Sequence, residues 1–147
     1  NEFSDKDVEI ATIARRFNPE EGFDALFSPD NVKVTMTSDR NALYFSRSII
    51  PYVRDFQWQE WLSNSDFFIH IGLYGFRVSA LKEVVKAPKA LLEQAESLEQ
   101  LRWLSMGHKI KLALTQNRSF GVDTASDLEL ARQYYLESRN NESSNTP

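Results

Sequence analysis

The sequence contains no cysteine. That excludes disulfides, zinc–thiolate centres and thiol nucleophiles, and it accords with a reducing, cytoplasmic compartment. No apolar run approaches the roughly 20 residues a helix needs to cross a bilayer, and no signal peptide opens the chain, so no membrane partner is expected. A basic surface is lacking too. Seventeen Lys and Arg stand against 21 Asp and Glu, a net charge of −4, which is too acidic and too mixed to grip a nucleic-acid backbone. Any anion site must therefore be local. What is present, 147 residues with 41% hydrophobic and 26% charged side chains, matches one ordinary soluble domain with a real core. The chain opens on Asn1 rather than methionine, in what reads as the tail of a helix, so a piece of a longer protein is expected.

The most informative stretch is DFFIHIGLYGFR, Asp66 to Arg77. Strand side chains alternate between faces, which puts Phe67, Ile69, Ile71 and Leu73 on one side and Phe68, His70, Gly72, Tyr74 and Phe76 on the other. The second face carries an imidazole and a phenol with a glycine between them, a notch where a polar ligand could lie. At roughly 3.3 Å per residue the two rings should stand about 13 Å apart, which asks for a ligand longer than a triose. The plainer alternative is a central strand with one satisfied histidine and a packed tyrosine.

Around that strand, Val8 to Ala14 reads as a short buried strand from its β-branched content. Arg15 and Arg16 follow it into polar ground. Asn18 and Pro19 are the cap and first turn of a short helix that ends by Ser28-Pro29, with Glu20 and Glu21 at its positive end. Val32 to Met36 and Ala42 to Ser46, joined by turn residues Ser38 to Asn41, form a hairpin. Arg47 and Arg54 lie on the loop that leaves it. Guanidinium forks suit carboxylate or phosphate, although pairing with Asp39 or Asp55 would explain them equally well. Trp58 and Trp61, on a short helix within Phe56 to Ser65, point to a subunit contact.

Val78 to Lys86 reads as a helix and Ala87 to Ala90 as a loop broken by Pro88. Leu91 to Met106 is expected as one long helix whose core stripe is Leu91, Ala95, Leu98, Leu101 and Leu104. Glu96, Gln100 and Trp103, with Glu99 at the border, fall on another face, ordinarily a solvated one. Gly107 stops the helix, and His108 to Thr115 alternates as a strand. Farther on, Thr124 caps a helix beginning at Ala125, with Asp127 as the reciprocal cap. Asp123, just before it, either compensates the helix dipole or offers an oxygen ligand to Mg²⁺. The polar segment 138–147 is expected to be a disordered tail after a single domain spanning 1–137.

Four phrases occur in order: ALYFSRSIIPY with a downstream arginine, IHIGLYGFR, ESLEQLRWLSMGHKI and GVDTASDL. Together, over roughly Ile10 to Gln133, they closely resemble the C-terminal half of the 3-deoxy-manno-octulosonate (Kdo) cytidylyltransferases. The resemblance implies an α/β fold, part of the mixed Rossmann-like sheet of nucleotide-diphospho-sugar transferases with flanking helices. It implies an enzyme in which the anomeric hydroxyl of Kdo attacks the α-phosphorus of CTP, giving CMP-Kdo and pyrophosphate for lipopolysaccharide synthesis in the cytoplasm. By resemblance, Arg47 and Arg54 are the arginines of the sugar-acid site, His70 and Tyr74 its sugar-binding pair, and Glu99 and Gln100 its contacts to sugar hydroxyls. Asp123 resembles the catalytic carboxylate that helps hold Mg²⁺. A homodimer built largely through the hairpin and aromatic region is implied as well.

The family's IPARxxSxRxPGKxL phosphate loop and its QGDEP motif are not found in this sequence. The 147 residues by themselves are therefore expected to be inactive. A related keto-acid sugar, 8-amino Kdo or sialic acid, is the alternative substrate, and a non-catalytic dimerisation or binding module the alternative class.

Overall fold

The computed structural model describes residues 2–116 and, beyond them, residues 125, 128, 129, 131–133, 135 and 136. Contacts divide the chain into two units, Asn1–Gln116 and Asn117–Pro147. In the second, the described residues are helical. Asp123, Thr124, Asp127 and the segment 138–147 lie outside the described residues.

The first unit is built on a five-stranded mixed sheet. Its strands are β1 (Ile10–Arg16), β2 (Lys33–Met36), β3 (Ala42–Ser46), β4 (Phe68–Phe76) and β5 (Ile110–Thr115), in the spatial order β3-β2-β4-β1-β5. β1 runs antiparallel to β4 and parallel to β5, while β2 and β3 form the hairpin expected from the turn residues between them. The hairpin tip also reaches the far edge: Asn41 bridges Lys111, and the Leu112 N–H donates to the Arg40 carbonyl at 2.8 Å. Arg40 takes a left-handed φ of 59° to make that turn.

Two apolar clusters hold the sheet. Ile10, Ala14, Val34, Phe45, Ile110 and Leu112 meet Ala80, Val84, Leu98, Leu101 and Trp103 from the helices. These helices are α3 (Val78–Val84), α4 (Leu91–Glu96) and α5 (Gln100–Ser105). The second cluster joins Phe67 and Ile69 of the β4 segment to Phe17, to Leu26 of α1 (Gly22–Phe27) and to Trp61 of α2 (Trp61–Asn64). Each large side chain so buried contributes about 1.5–3 kcal/mol. Asn18 caps the turn before α1 as its sequence implies, accepting from the Glu20 N–H at 3.1 Å while Glu21 accepts from the Asn18 N–H at 3.1 Å. Arg15 is not in polar ground. It is buried and makes a two-pronged ion pair with Glu21 at 2.5 and 2.8 Å.

Two further expectations are corrected. The long helix over Leu91 to Met106 is two short helices, split where Ser97 turns left-handed at φ 53°. The intended stripe breaks with it: Leu91 is 85% exposed, whereas Gln100 and Trp103, read as lying off the core stripe, are buried, as is Glu93. The second correction concerns β4. Between Thr12 and Ile13 the register shifts, so that Thr12 faces Tyr74 while Ala14 faces His70. β4 thus advances four residues where β1 advances two, and Gly72 and Leu73 bulge out, both exposed. An even number of extra residues keeps His70 and Tyr74 on one face.

Candidate functional site

The bulge sets the geometry of the site. The His70 and Tyr74 ring centroids lie 5.3 Å apart, not at the long spacing of a regular strand, and form a single aromatic platform. Gly72 is no notch between them, since it stands in open space on the bulge. Phe45 meets the His70 ring edge-on at 5.0 Å, and Trp103 meets the Tyr74 ring edge-on at 4.8 Å. Burial lowers the His70 pKa to about 4, so the imidazole is neutral at physiological pH. Burial, and then the nearby Glu99 carboxylate, raise the pKa of the Tyr74 phenol, which stays a hydrogen-bond donor.

The break between α4 and α5 brings the helical residues to this platform. Glu99 and Tyr74 line a cleft of about 420 Å³ together with Phe76, Arg102 and Trp103. Trp103 Nε1 is buried there without a hydrogen-bond partner among the described residues. Gln100 opens α5 and is 4% exposed. On the other side of the break, Glu96 turns towards the end of β3, accepting from the Ser46 hydroxyl at 2.6 Å and from the Arg47 N–H at 2.9 Å. The Arg47 side chain answers by donating to the carbonyls of Glu96 at 2.8 Å, Pro29 at 2.9 Å and Ser97 at 3.5 Å. Each guanidinium nitrogen is thus engaged, and one N–H of each terminal nitrogen has no partner among the described residues.

His70, Tyr74 and Glu99 are thus brought together by ring contact and a shared cleft, whereas Arg47 is joined to the helix break through Glu96 and Gln100 is buried at the start of α5. Arg54 is not among them. It lies in a separate aromatic groove of about 500 Å³ with Phe27, Tyr52, Trp58 and Trp61, and no described contact joins it to the platform. Trp58 is half exposed there and Trp61 buried.

Three residues take roles that their sequence pattern does not show. Lys33 is fully buried, donating to the Ser28 carbonyl at 2.9 Å. Burial lowers its pKa to about 8, a shift that Glu96 opposes, Arg47 reinforces and Asp30 opposes. Glu96 was hidden by the long-helix expectation. Thr12, a hydroxyl in the apolar run VEIATIA, was the one legible signal, because a buried strand seldom spends a polar position without a partner. Among the described residues no three His, Cys, Asp or Glu side chains gather to hold a metal. Chemically, the arrangement offers neutral donors and acceptors beside a carboxylate, groups that can hydrogen-bond hydroxyls.

The mixed sheet with its flanking helices is that of the nucleotide-diphospho-sugar transferases. It superposes with a TM-score of 0.79 on a solved CMP:2-keto-3-deoxy-manno-octonic acid synthetase complexed with CTP, at 32% identity over 92% of this chain and 52% of that one. Residues 6–110 match the family model described as cytidylyltransferase, and the chain belongs to that family. A 3-deoxy-manno-octulosonate cytidylyltransferase of Parabacteroides distasonis is 46% identical over 88% of this chain and 52% of its own length. One from Thermodesulfovibrio yellowstonii is 46% identical over 84% of this chain and 48% of its own. The chain spans about half the length of the curated relatives it matches.

Proposed function

We propose that this chain supplies the sugar-acid site of a cytidylyltransferase that couples CTP to Kdo, releasing CMP-Kdo and pyrophosphate in lipopolysaccharide synthesis. The observation that carries the reading is the platform of His70 and Tyr74, with Glu99 beside it, in a chain whose relatives bear that name. A neutral imidazole, a phenol, a carboxylate and an amide offer both donors and acceptors to the hydroxyls of an octose. Arg47, with donors to spare, takes the sugar carboxylate. Arg54 is proposed as a second arginine for the acid, by resemblance alone.

Catalysis of attack on phosphorus rests on positioning and neutralisation of charge. The described residues serve the first: they hold the sugar so that its anomeric hydroxyl is presented to the nucleotide. Mg²⁺ would supply the second, with Asp123 as one oxygen ligand. The protein acts as a homodimer in the cytoplasm, its subunits meeting through the hairpin and the exposed aromatic groove of Tyr52, Phe56 and Trp58.

The test is pyrophosphate release from CTP by the protein that carries this chain, with and without Kdo. Release that needs Kdo, with a raised Kdo KM in Tyr74→Phe and Arg54→Ala, supports the reading. Release independent of any keto-acid sugar contradicts it. Running 8-amino Kdo and sialic acid in parallel decides among the sugars.

A further inference from the structure

The Thr12 hydroxyl lies inside the sheet, on a residue 2% exposed, with three polar neighbours. His70 Nε2 is at 2.9 Å, the Leu73 carbonyl at 2.9 Å and the Ile71 carbonyl at 3.3 Å. A hydroxyl has a single hydrogen, and carbonyl oxygens can only accept. The hydrogen is therefore drawn to the carbonyls, that of Leu73 foremost. What remains for His70 is a lone pair. Nε2 must then carry the imidazole hydrogen, and Nδ1 of the neutral ring is left as a bare acceptor with no partner among the described residues.

The same hydroxyl closes the bulge. Ile71 and Leu73 flank Gly72 at the point where β4 loses its ladder to β1, and the Thr12 hydroxyl gathers their carbonyls. Two consequences meet in one atom: the tautomer of His70, and the detour that brings Tyr74 back beside it.

We propose that Thr12 is a positioning residue for the sugar site, locking His70 as the Nε2–H tautomer and pinning the Gly72–Leu73 bulge that sets Tyr74 against the imidazole. A ligand hydroxyl then meets an acceptor at Nδ1 and the Tyr74 phenol together. The inference rests on the sugar-acid reading for the ligand, and on the geometry alone for the lock.

This chain contributes His70 and His108 to the long-range ¹H–¹⁵N spectra of the histidine-labelled protein that carries it. The pattern lost in His70→Asn and kept in His108→Gln is that of His70. At pH 7 the wild type should show His70 protonated at Nε2 and bare at Nδ1. Thr12→Ser should keep that pattern. Thr12→Val, equal in shape but without the hydroxyl, should lose it to a tautomer mixture and weaken the His70–Tyr74 ring contact. Wild-type His70 protonated at Nδ1 overturns the proposal without any variant, as does a folded Thr12→Val with the wild-type pattern. Added Kdo should shift the Nδ1 signal. If the lock is present and Kdo moves nothing, the sugar-acid reading falls and the lock stands.

Discussion

Arg47 and Glu96 hold each other at both ends: the Arg47 backbone N–H donates to Glu96 Oε2 at 2.9 Å, and Arg47 Nε donates to the Glu96 carbonyl at 2.8 Å. This tie joins the end of β3 to the break between α4 and α5, and so to Glu99 and Gln100. Glu96→Ala leaves the Ser46 hydroxyl and the Arg47 N–H without their acceptor, at a cost of about 1–3 kcal/mol. The urea midpoint should fall at unchanged m-value, and Kdo should bind more weakly although Glu96 is not placed on the sugar. An unchanged midpoint contradicts the tie.

Acid should destabilise the fold through His70. Its folded pKa of about 4 lies below the ordinary value of 6.5, so between those limits the unfolded chain takes up a proton that the folded one refuses. The contribution is fully present above pH 6.5 and is lost as pH falls towards 4, on the order of 3 kcal/mol in all. Urea titrations at stepped pH should show this slope in the wild type and lack it in His70→Asn.

Lys33 gives the opposite end of the scale. Its folded pKa of about 8 lies below the unfolded value of 10.5, so the folded lysine sheds its proton first and stability should rise from pH 8 towards 10. Above pH 10 the raised pKa values of Tyr44 and Tyr74 work the other way, because the unfolded phenols ionise first. Lys33→Met should remove the rise.

Leu73 and Ile69 would share one face of a regular strand, yet the bulge throws Leu73 to 61% exposure while Ile69 is 4% exposed. Leu73→Ala should change stability by no more than about 0.5 kcal/mol, and Ile69→Ala should cost about 2–5 kcal/mol. Equal losses in the urea midpoint would mean a regular strand.

The aromatic groove offers a separate test. Trp58 stands half exposed between Phe23 and Phe27, with edge-on ring contacts at 5.0 and 5.8 Å. If subunits meet here, Trp58→Ala should weaken the dimer at least tenfold, about 1.4 kcal/mol, in sedimentation equilibrium. A monomeric wild type contradicts the proposed homodimer.

Much of this was legible in the residues. The hairpin of β2 and β3, the Asn18 cap and the strand holding His70 and Tyr74 follow from turn chemistry and alternation, which are local. The bulge was not legible, because Gly72 and Leu73 fit an unbroken alternation. Only the Thr12 hydroxyl, 61 residues from Leu73 in sequence, reveals why they leave the ladder. The helix break at Ser97 escaped for a similar reason. Leucine spacing across Leu91 to Leu104 satisfies one continuous helix, but Glu96 is needed at Ser46 and Arg47, far off in sequence. Long-range polar ties overrode helical propensity. Arg54 was grouped with Arg47 by nearness in sequence, but Arg54 lines the aromatic groove while the Arg47 side chain is held on the Glu96 and Pro29 carbonyls.

The most direct measurement is calorimetric titration of Kdo into the wild-type protein that carries this chain and into its Tyr74→Phe and His70→Asn variants. Saturable one-site binding, weakened roughly tenfold in each variant while the urea midpoint at pH 7 changes little, is the predicted result. Absence of binding, or equal affinity in all three proteins, would contradict a sugar-acid site built on the His70–Tyr74 platform.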